Sequence, residues 1–318
     1  MNARTPALVL ACVFLATAAR ASGAPIWTPD PEAPGKFRLD RKTLSAELAR
    51  APREFTEEAA KTVVTIPLPR PDGTLARFRV EESPILPPSL SAKYGIRTWI
   101  GRSVDEPGAI ARFSLGPDGF NALVLAPSGS VLIRPSGVGE ESHAAIRYED
   151  DPLNEAVRCV APDEGIGASK AGEAGPSVRS TAGTVSIYHM AASATGEFTA
   201  QNGGTVASAF TAITNVINAV NTIYRRDFGV HLELLEESEQ VIQTEPSSYL
   251  PSGDRTCEGA VDCLSPDCLQ DGNQCLLDGT IGTDNYDVGV IFDAANPDGS
   301  AAGAADLYAV CDPLNKGR

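Results

Sequence analysis

The sequence predicts a mixed α+β and α/β protein in which a β-rich part is followed by an α/β part. Three observations carry that expectation. Residues 25–155 hold short apolar runs separated by Gly- and Pro-containing turns. Residues 161–183, "APDEGIGASKAGEAGPSVRSTAG", hold small residues and scattered charge, with little large apolar content beyond Ile166. From residue 184 onward the pattern becomes strand, long amphipathic helix, strand, loop, strand, which is how an α/β unit begins.

The first residues read as an export signal. Arg4 gives a basic start, an apolar run spans 7–19, and Ala19-Arg20-Ala21 offers small residues for cleavage before Ser22. That run is too short to span a bilayer comfortably, so we expect a signal peptide at 1–21, a secreted protein and no membrane span. Losing Arg4 and Arg20 would take the formal charge from -15 to -17. Such acidity repels nucleic acid and anionic lipid. Six cysteines remain after the signal, and in an exported protein they read as disulfides before metal ligands.

In the β-rich part, "KTVVTIPLP" and "LARFRVEES" flank the turn "RPDG" and predict a hairpin. The stretch "GAIARFSLGPDGFNALVLAPSGSVLIRP" predicts three more strands. Their spacing fits a small antiparallel sandwich or meander. One helix is expected near "DRKTLSAELAR", capped by Asp40, with Leu44, Leu48 and Ala51 on its apolar side. The linker is placed at 161–183, between units at 22–160 and 184–318.

The second unit opens with the strand "TVSIYHMAAS". Val206, Phe210, Ile213, Ile217, Val220 and Tyr224 then recur at steps of three and four, one face of a helix about six turns long that Gly229 ends. "VHLELLEES", "NYDVGVIFD" and "DLYAVC" are the further strands expected.

The residues offer no complete catalytic constellation. His143 lies in an acidic stretch read as a loop, and His189 and His231 lie in expected strands; each reads as a surface or core histidine. A Gly-x-Ser-x-Gly elbow, a P-loop and a dinucleotide glycine pattern are all missing from the 318 residues. "CEGAVDCLSPDCLQDGNQC" reads as a loop whose cysteine spacing is too wide for paired zinc ligands, which favours disulfides. Its acids Glu258, Asp262, Asp267 and Asp271 leave calcium open without supporting it, because the loop fails the EF-hand pattern.

A resemblance goes further. "VSIYHMAASATGEFTAQNGGTVASAFTAITNVINAVNTIYRRDFGVHLELL", "GTIGTDNYDVGVIFD" and "VCDPLNKGR" stand in the order found at the start of the catalytic domain of bacterial reprolysin-like metallopeptidases, of the metzincin clan. "KFRLDRKTL" and "RFRVEESPIL" resemble the propeptide of these enzymes. The resemblance implies a zymogen-type zinc metalloendopeptidase acting on proteins or peptides. The family's zinc motif, H-E-x-x-H-x-x-G-x-x-H, is absent here, so no catalytic residue or metal ligand is assigned; the resemblance puts the zinc ligands beyond Arg318 and implies that this chain alone is inactive. Val290 stands where relatives carry His. The resemblance also gives Asp287, Val288, Gly289, Val290, Ile291 and Phe292 as a strand able to pair with an extended substrate, with an ordinary core strand as the alternative. It makes Cys159 a candidate zinc-ligating latency switch, with a disulfide as the alternative. The disulfide candidates are Cys257, Cys263, Cys268, Cys275 and Cys311. A secreted binding or inhibitory protein without catalysis is the competing reading.

The 161–183 stretch generates a first prediction. Limited proteolysis followed by intact-mass analysis is expected to cut there first and release a fragment starting near residue 180. Cutting spread evenly through 25–155 would contradict the division.

Overall fold

The computed structural model describes residues 24–151, 185–245, 250–251, 260–261, 266–294, 310–314 and 316–317. The signal at 1–21, Cys159, the linker, Cys257, Cys263 and the "DLYAVC" strand up to residue 309 lie outside these residues.

The β-rich part contains β1 (Trp27–Pro29), β2 (Lys36–Leu39), β3 (Val64–Pro69), β4 (Leu75–Glu82), β5 (Arg97–Ser103), β6 (Ile110–Gly116), β7 (Gly119–Leu125), β8 (Val131–Pro135) and β9 (Ser142–Arg147). They form one nine-stranded sheet in the order β1-β2-β9-β8-β7-β6-β5-β4-β3, antiparallel throughout. The expected hairpin is β3–β4, in register from Val64↔Val80 to Pro69↔Leu75. The three strands expected after Gly108 are β6, β7 and β8. The sheet curls until its ends meet, and the Trp27 indole Nε1 donates to the Pro67 carbonyl at 3.1 Å. Alternation along the strands turns one side inward. Trp27, Phe37, Phe113 and Phe120 are buried in that core, with Trp27 and Phe120 edge to face at 5.3 Å.

Three short helices decorate this sheet: α1 (Arg41–Leu48), α2 (Glu57–Lys61) and α3 (Pro88–Tyr94). The Asp40 carboxylate accepts from the Thr43 amide at 2.9 Å, and Leu44 and Leu48 are buried as the spacing predicts. His143 is not in a loop. It sits in β9, 1% exposed, with its ring 5.2 Å from that of Trp27. Its acidic neighbours in sequence hid that burial.

The α/β part contains β10 (Ser186–Ala194), α4 (Gly196–Gln201), α5 (Val206–Phe228), β11 (Val230–Leu234), the two-residue strands β12 (Leu250–Pro251) and β13 (Ala260–Val261), α6 (Pro266–Thr280) and β14 (Val288–Phe292). β10 is central, with β11 and β14 parallel on either side. Parallel neighbours need helical crossovers, and α5 and α6 lie in those two connections. α5 opens with a capping box built on Thr205 and Ser208 and ends at Gly229, whose φ of 66° suits a residue without a Cβ. α6 corrects the expected cysteine-rich loop, since it runs through both Cys268 and Cys275.

The small side chains of β10 let helices approach from both faces. Ala192 and Ala194 pack in one cluster with Phe210, Ile213 and Ile217 of α5. Ala191 packs in another with Leu277 of α6, Val241 and Tyr286.

The first cluster also contains Ile85, Leu86, Leu90 and Ile96 from the β-rich part. The two parts therefore share a core. Backbone pairing reinforces it: the Leu234 amide, at the end of β11, donates to the Ile85 carbonyl at 2.8 Å.

Phe210 is fully buried in this shared core and lies 5.3 Å from the Tyr94 ring. Phe210→Ala is expected to cost about 3–5 kcal/mol by leaving a cavity that touches both parts. Urea denaturation of the full chain measures it, and a loss below about 1 kcal/mol would mean that the two parts do not share this core.

Candidate functional site

The segment at the end of the described chain is seated against β14 and α6 by a dense polar network. The Lys316 ammonium donates to the Tyr286 carbonyl at 2.6 Å and lies 4.5 Å from the centre of the Tyr286 ring. The Gly317 amide donates to Gln274 Oε1 at 2.6 Å, while Asn273 Nδ2 donates to the Gly317 carbonyl at 2.6 Å. Adjacent amide side chains of α6 thus hold both backbone polar groups of one residue. The Gln274 amino group also donates to the Tyr286 hydroxyl and to Asp278, and that hydroxyl donates to the other Asp278 oxygen at 2.9 Å. Burial, and then the bond to Asp278, push the Tyr286 phenol pKa upward, so it stays a donor at physiological pH.

This network decides what β14 offers. One edge of the strand pairs with β10. On the other, the Asp287 carbonyl accepts from the Cys311 amide at 2.8 Å and the Gly289 amide donates to the Lys316 carbonyl. Gly289 permits this approach, because a Cβ there would lie 2.4 Å from the Leu277 side chain and 2.7 Å from the Gly317 Cα. Of the six residues read as a substrate-pairing strand, Asp287 and Gly289 therefore already spend outward-facing backbone groups on the chain itself. Val288, Val290 and Phe292 face β10 through the parallel ladder. That corrects the reading of Asp287–Phe292 as an open edge along its whole length.

The cysteines divide. Cys275 is disulfide-bonded. Cys311 is a free, exposed thiol rather than a disulfide half.

The donors present do not fit a catalytic zinc ion. Among the described residues no three His, Cys, Asp or Glu side chains converge. His143 is engaged by the Phe120 amide and the Glu141 carbonyl inside the β-rich core. His189 has Asp287 at 3.4 Å and His231 has Glu233 at 3.9 Å, which are pairs and not ligand sets. No step through a metal is derived from these residues.

What the α/β part shows is an ordered scaffold: β10 between two parallel neighbours, α5 closed by Gly229, and Cys311, Lys316 and Gly317 bonded beside β14. Residues 184–317 match the model of the reprolysin-like metallopeptidases of family M12B. Over this segment the chain is similar to the reprolysin-like metallopeptidases. No curated protein matches the chain. A solved structure described as "Structure of a chaperone-substrate complex" is similar over 43% of this chain and 95% of its own, at 10% identity and a TM-score of 0.28. That likeness carries no argument.

The reprolysin-like unit meets the β-rich part through charges as well as apolar groups, and sequence reading missed these. Asn215, Asn218, Thr222 and Arg225 recur at three- and four-residue steps along α5, on the side that faces β6 and β7. Asn215 Oδ1 accepts from the Ser114 hydroxyl at 2.5 Å, and its amino group donates to Asp118 at 3.1 Å. Arg225 donates to Glu54 at 2.5 Å, and the other oxygen of Glu54 accepts from the Ser83 hydroxyl. Arg112, on the outer side of β6, is 1% exposed. It reaches Asn218 at 3.3 Å, His231 Nδ1 at 3.5 Å and Glu54 at 4.0 Å. A polar stripe on an amphipathic helix reads as solvent-facing; here it is the docking face. The only signal was that the stripe is amide and hydroxyl until it reaches Arg225.

His231 makes this seam sensitive to pH. Burial, then the positive charges of Arg112 and Arg225, lower its pKa from 6.5 to about 4, with Glu54 pulling the other way. The folded protein therefore holds His231 neutral where the unfolded chain would already be protonated. Stability is unaffected by His231 above pH 6.5 and is lost as pH falls from 6.5 toward 4. The loss is on the order of 3 kcal/mol. His143, whose pKa is lowered mainly by burial, contributes a loss of the same sign. Urea midpoints measured across that pH range are expected to fall for the natural chain and to fall less for His231→Gln. Superimposable profiles would remove His231 from the effect.

Proposed function

We propose that the protein is a secreted, zymogen-type zinc metalloendopeptidase that hydrolyses peptide bonds in proteins, with residues 1–21 as its signal, 22–160 as its propeptide and 161–183 as the segment cut on maturation. The observation that carries this reading is the match of residues 184–317 to the reprolysin-like metallopeptidases. The packing of the β-rich part on α5 and against β11 supports it, because a propeptide that assists folding has to bury surface of the unit it serves. Zinc enters through the family alone. The 318 residues contain no H-E-x-x-H pattern, so this reading assigns hydrolysis to ligands other than these residues.

In this reading the present chain supplies the scaffold. The Lys316, Gln274 and Asn273 network fixes the segment that the resemblance places before the zinc helix. Cys159 serves as a thiolate ligand that keeps the zymogen latent until the linker is cut. Extended-substrate pairing, if β14 takes part, is confined to the stretch around Ile291, past the positions used by residues 311 and 316.

The test is casein hydrolysis with and without 1,10-phenanthroline. The 318-residue chain and the product of the whole reading frame that encodes it are compared. We expect chelator-sensitive hydrolysis from the whole product after linker cleavage and none from the 318 residues. Cys159→Ser is expected to raise activity before cleavage. A whole product that is folded, binds no stoichiometric zinc and leaves casein intact would favour the non-catalytic binding protein instead.

A further inference from the structure

A cavity of about 350 Å³ opens at the seam between the C-terminal half of α5 and the outer side of β5 and β6. Arg102, Arg112, Arg225 and Arg226 line it, together with Thr222 and Phe55, and no carboxylate does among the described residues. Four guanidinium groups share three acids. Arg226 pairs with Asp227 at 2.7 Å, and Arg102 lies 3.7 Å from Glu81. Arg112 and Arg225 have only Glu54 between them, at 4.0 and 2.5 Å. One positive charge is left over on the Arg112–Arg225–Glu54 group, whose side chains are largely buried.

Two buried polar atoms in the lining are also without partners. They are Arg112 Nε and Thr222 Oγ1, on side chains whose residues are 1% and 2% exposed. A buried donor left unbonded costs roughly 1–3 kcal/mol, and more when it is charged. Water in the cavity would satisfy the hydrogen bonds but not the charge. An anion does both.

The geometry points to an oxyanion site at this seam, for a small organic ligand that carries a phosphate- or sulfate-like group. The planar guanidinium fork of Arg112 matches the oxygens of such a group, and the Thr222 hydroxyl supplies a neutral donor beside it. Apart from Asn221, the remaining side-chain wall is apolar, formed by Ile100, Ile110, Val185 and the largely exposed Phe55 ring over which Arg225 stacks at 4.6 Å. A bare ion would leave that wall uncovered, and the volume falls in the range of small-molecule pockets. Repulsion from Arg225 and Arg102 contributes to lowering the Arg112 pKa to about 10, behind burial as the main cause, and a bound anion would relieve both. Arg102, Arg112 and Phe55 come from the β-rich part, and Thr222, Arg225 and Arg226 from the reprolysin-like unit. The ligand would therefore bridge the two and tighten their association. This site is independent of whether the protein cleaves peptides.

Calorimetric titration of the full chain tests it, with inorganic phosphate and phenyl phosphate as probes at constant ionic strength set by chloride. Both are expected to bind saturably, phenyl phosphate about tenfold or more tighter because its ring covers Ile100 and Phe55. Thr222→Val, which keeps the side-chain shape, is expected to weaken both by about fivefold to tenfold. Arg102→Gln, at a half-exposed position where no buried charge is orphaned, is expected to weaken both as well. The thermal midpoint of the free variants shows that they are folded. Absence of saturable binding by either probe would overturn the site, as would natural-strength binding by both folded variants.

Discussion

Helix α5 is the element on which both parts of the protein depend. Its apolar stripe, with Phe210, Ile213 and Ile217, completes the core over β10 and β11. Its polar stripe meets the outer side of β6 and β7 through Asn215, Asn218 and Arg225. A helix used on two faces buries polar as well as apolar residues, and Ala209, Thr214 and Asn221 are all fully buried. Asn221 illustrates the demand this creates. Its side chain both donates to and accepts from the Leu232 backbone, at 2.9 and 2.7 Å, so a polar group inside the protein is paid for by fastening the helix to the next strand.

The seam has a division of labour. Apolar contacts from Ile85, Leu90 and Tyr94 supply adhesion without direction. The polar contacts fix orientation, because Asn215 has to reach Ser114 and Asp118 together while Arg225 reaches Glu54. Arg112 is the exception to this economy. Its contacts within the seam are long, and its burial is costly unless a further group joins it.

Much of the fold was legible in the sequence where periodicity and turn chemistry agree. The β3–β4 hairpin, the β6–β7–β8 run, the Asp40-capped helix and α5 with its Gly229 stop all follow from local pattern. What escaped was set by distant contacts. α6 carries Asn273, Gln274 and Cys275 on buried turns, a composition that reads as loop, and its place is fixed by bonds to Ser193, Tyr286 and Gly317. His143 was read from the acids beside it, whereas Trp27, more than a hundred residues earlier, decides its environment. The closing of β14 by residues 311 and 316 was equally invisible, since nothing local to either segment announces the other.

The bond between the Leu234 amide and the Ile85 carbonyl has a consequence for solubility. β11 is the border strand of a three-stranded parallel sheet, and such a border presents backbone groups that a second molecule can extend. Ile85 occupies the end of that border, so the Pro84–Ile85 stretch acts as a guard strip. Two prolines follow closely, at 87 and 88, and proline lacks the amide needed to continue a ladder. The guard therefore pairs with its own sheet and cannot recruit a neighbour's. Whatever separates the two parts of this protein also removes that protection, so the integrity of the seam and the hazard of strand-to-strand clumping are tied to the same short stretch of chain.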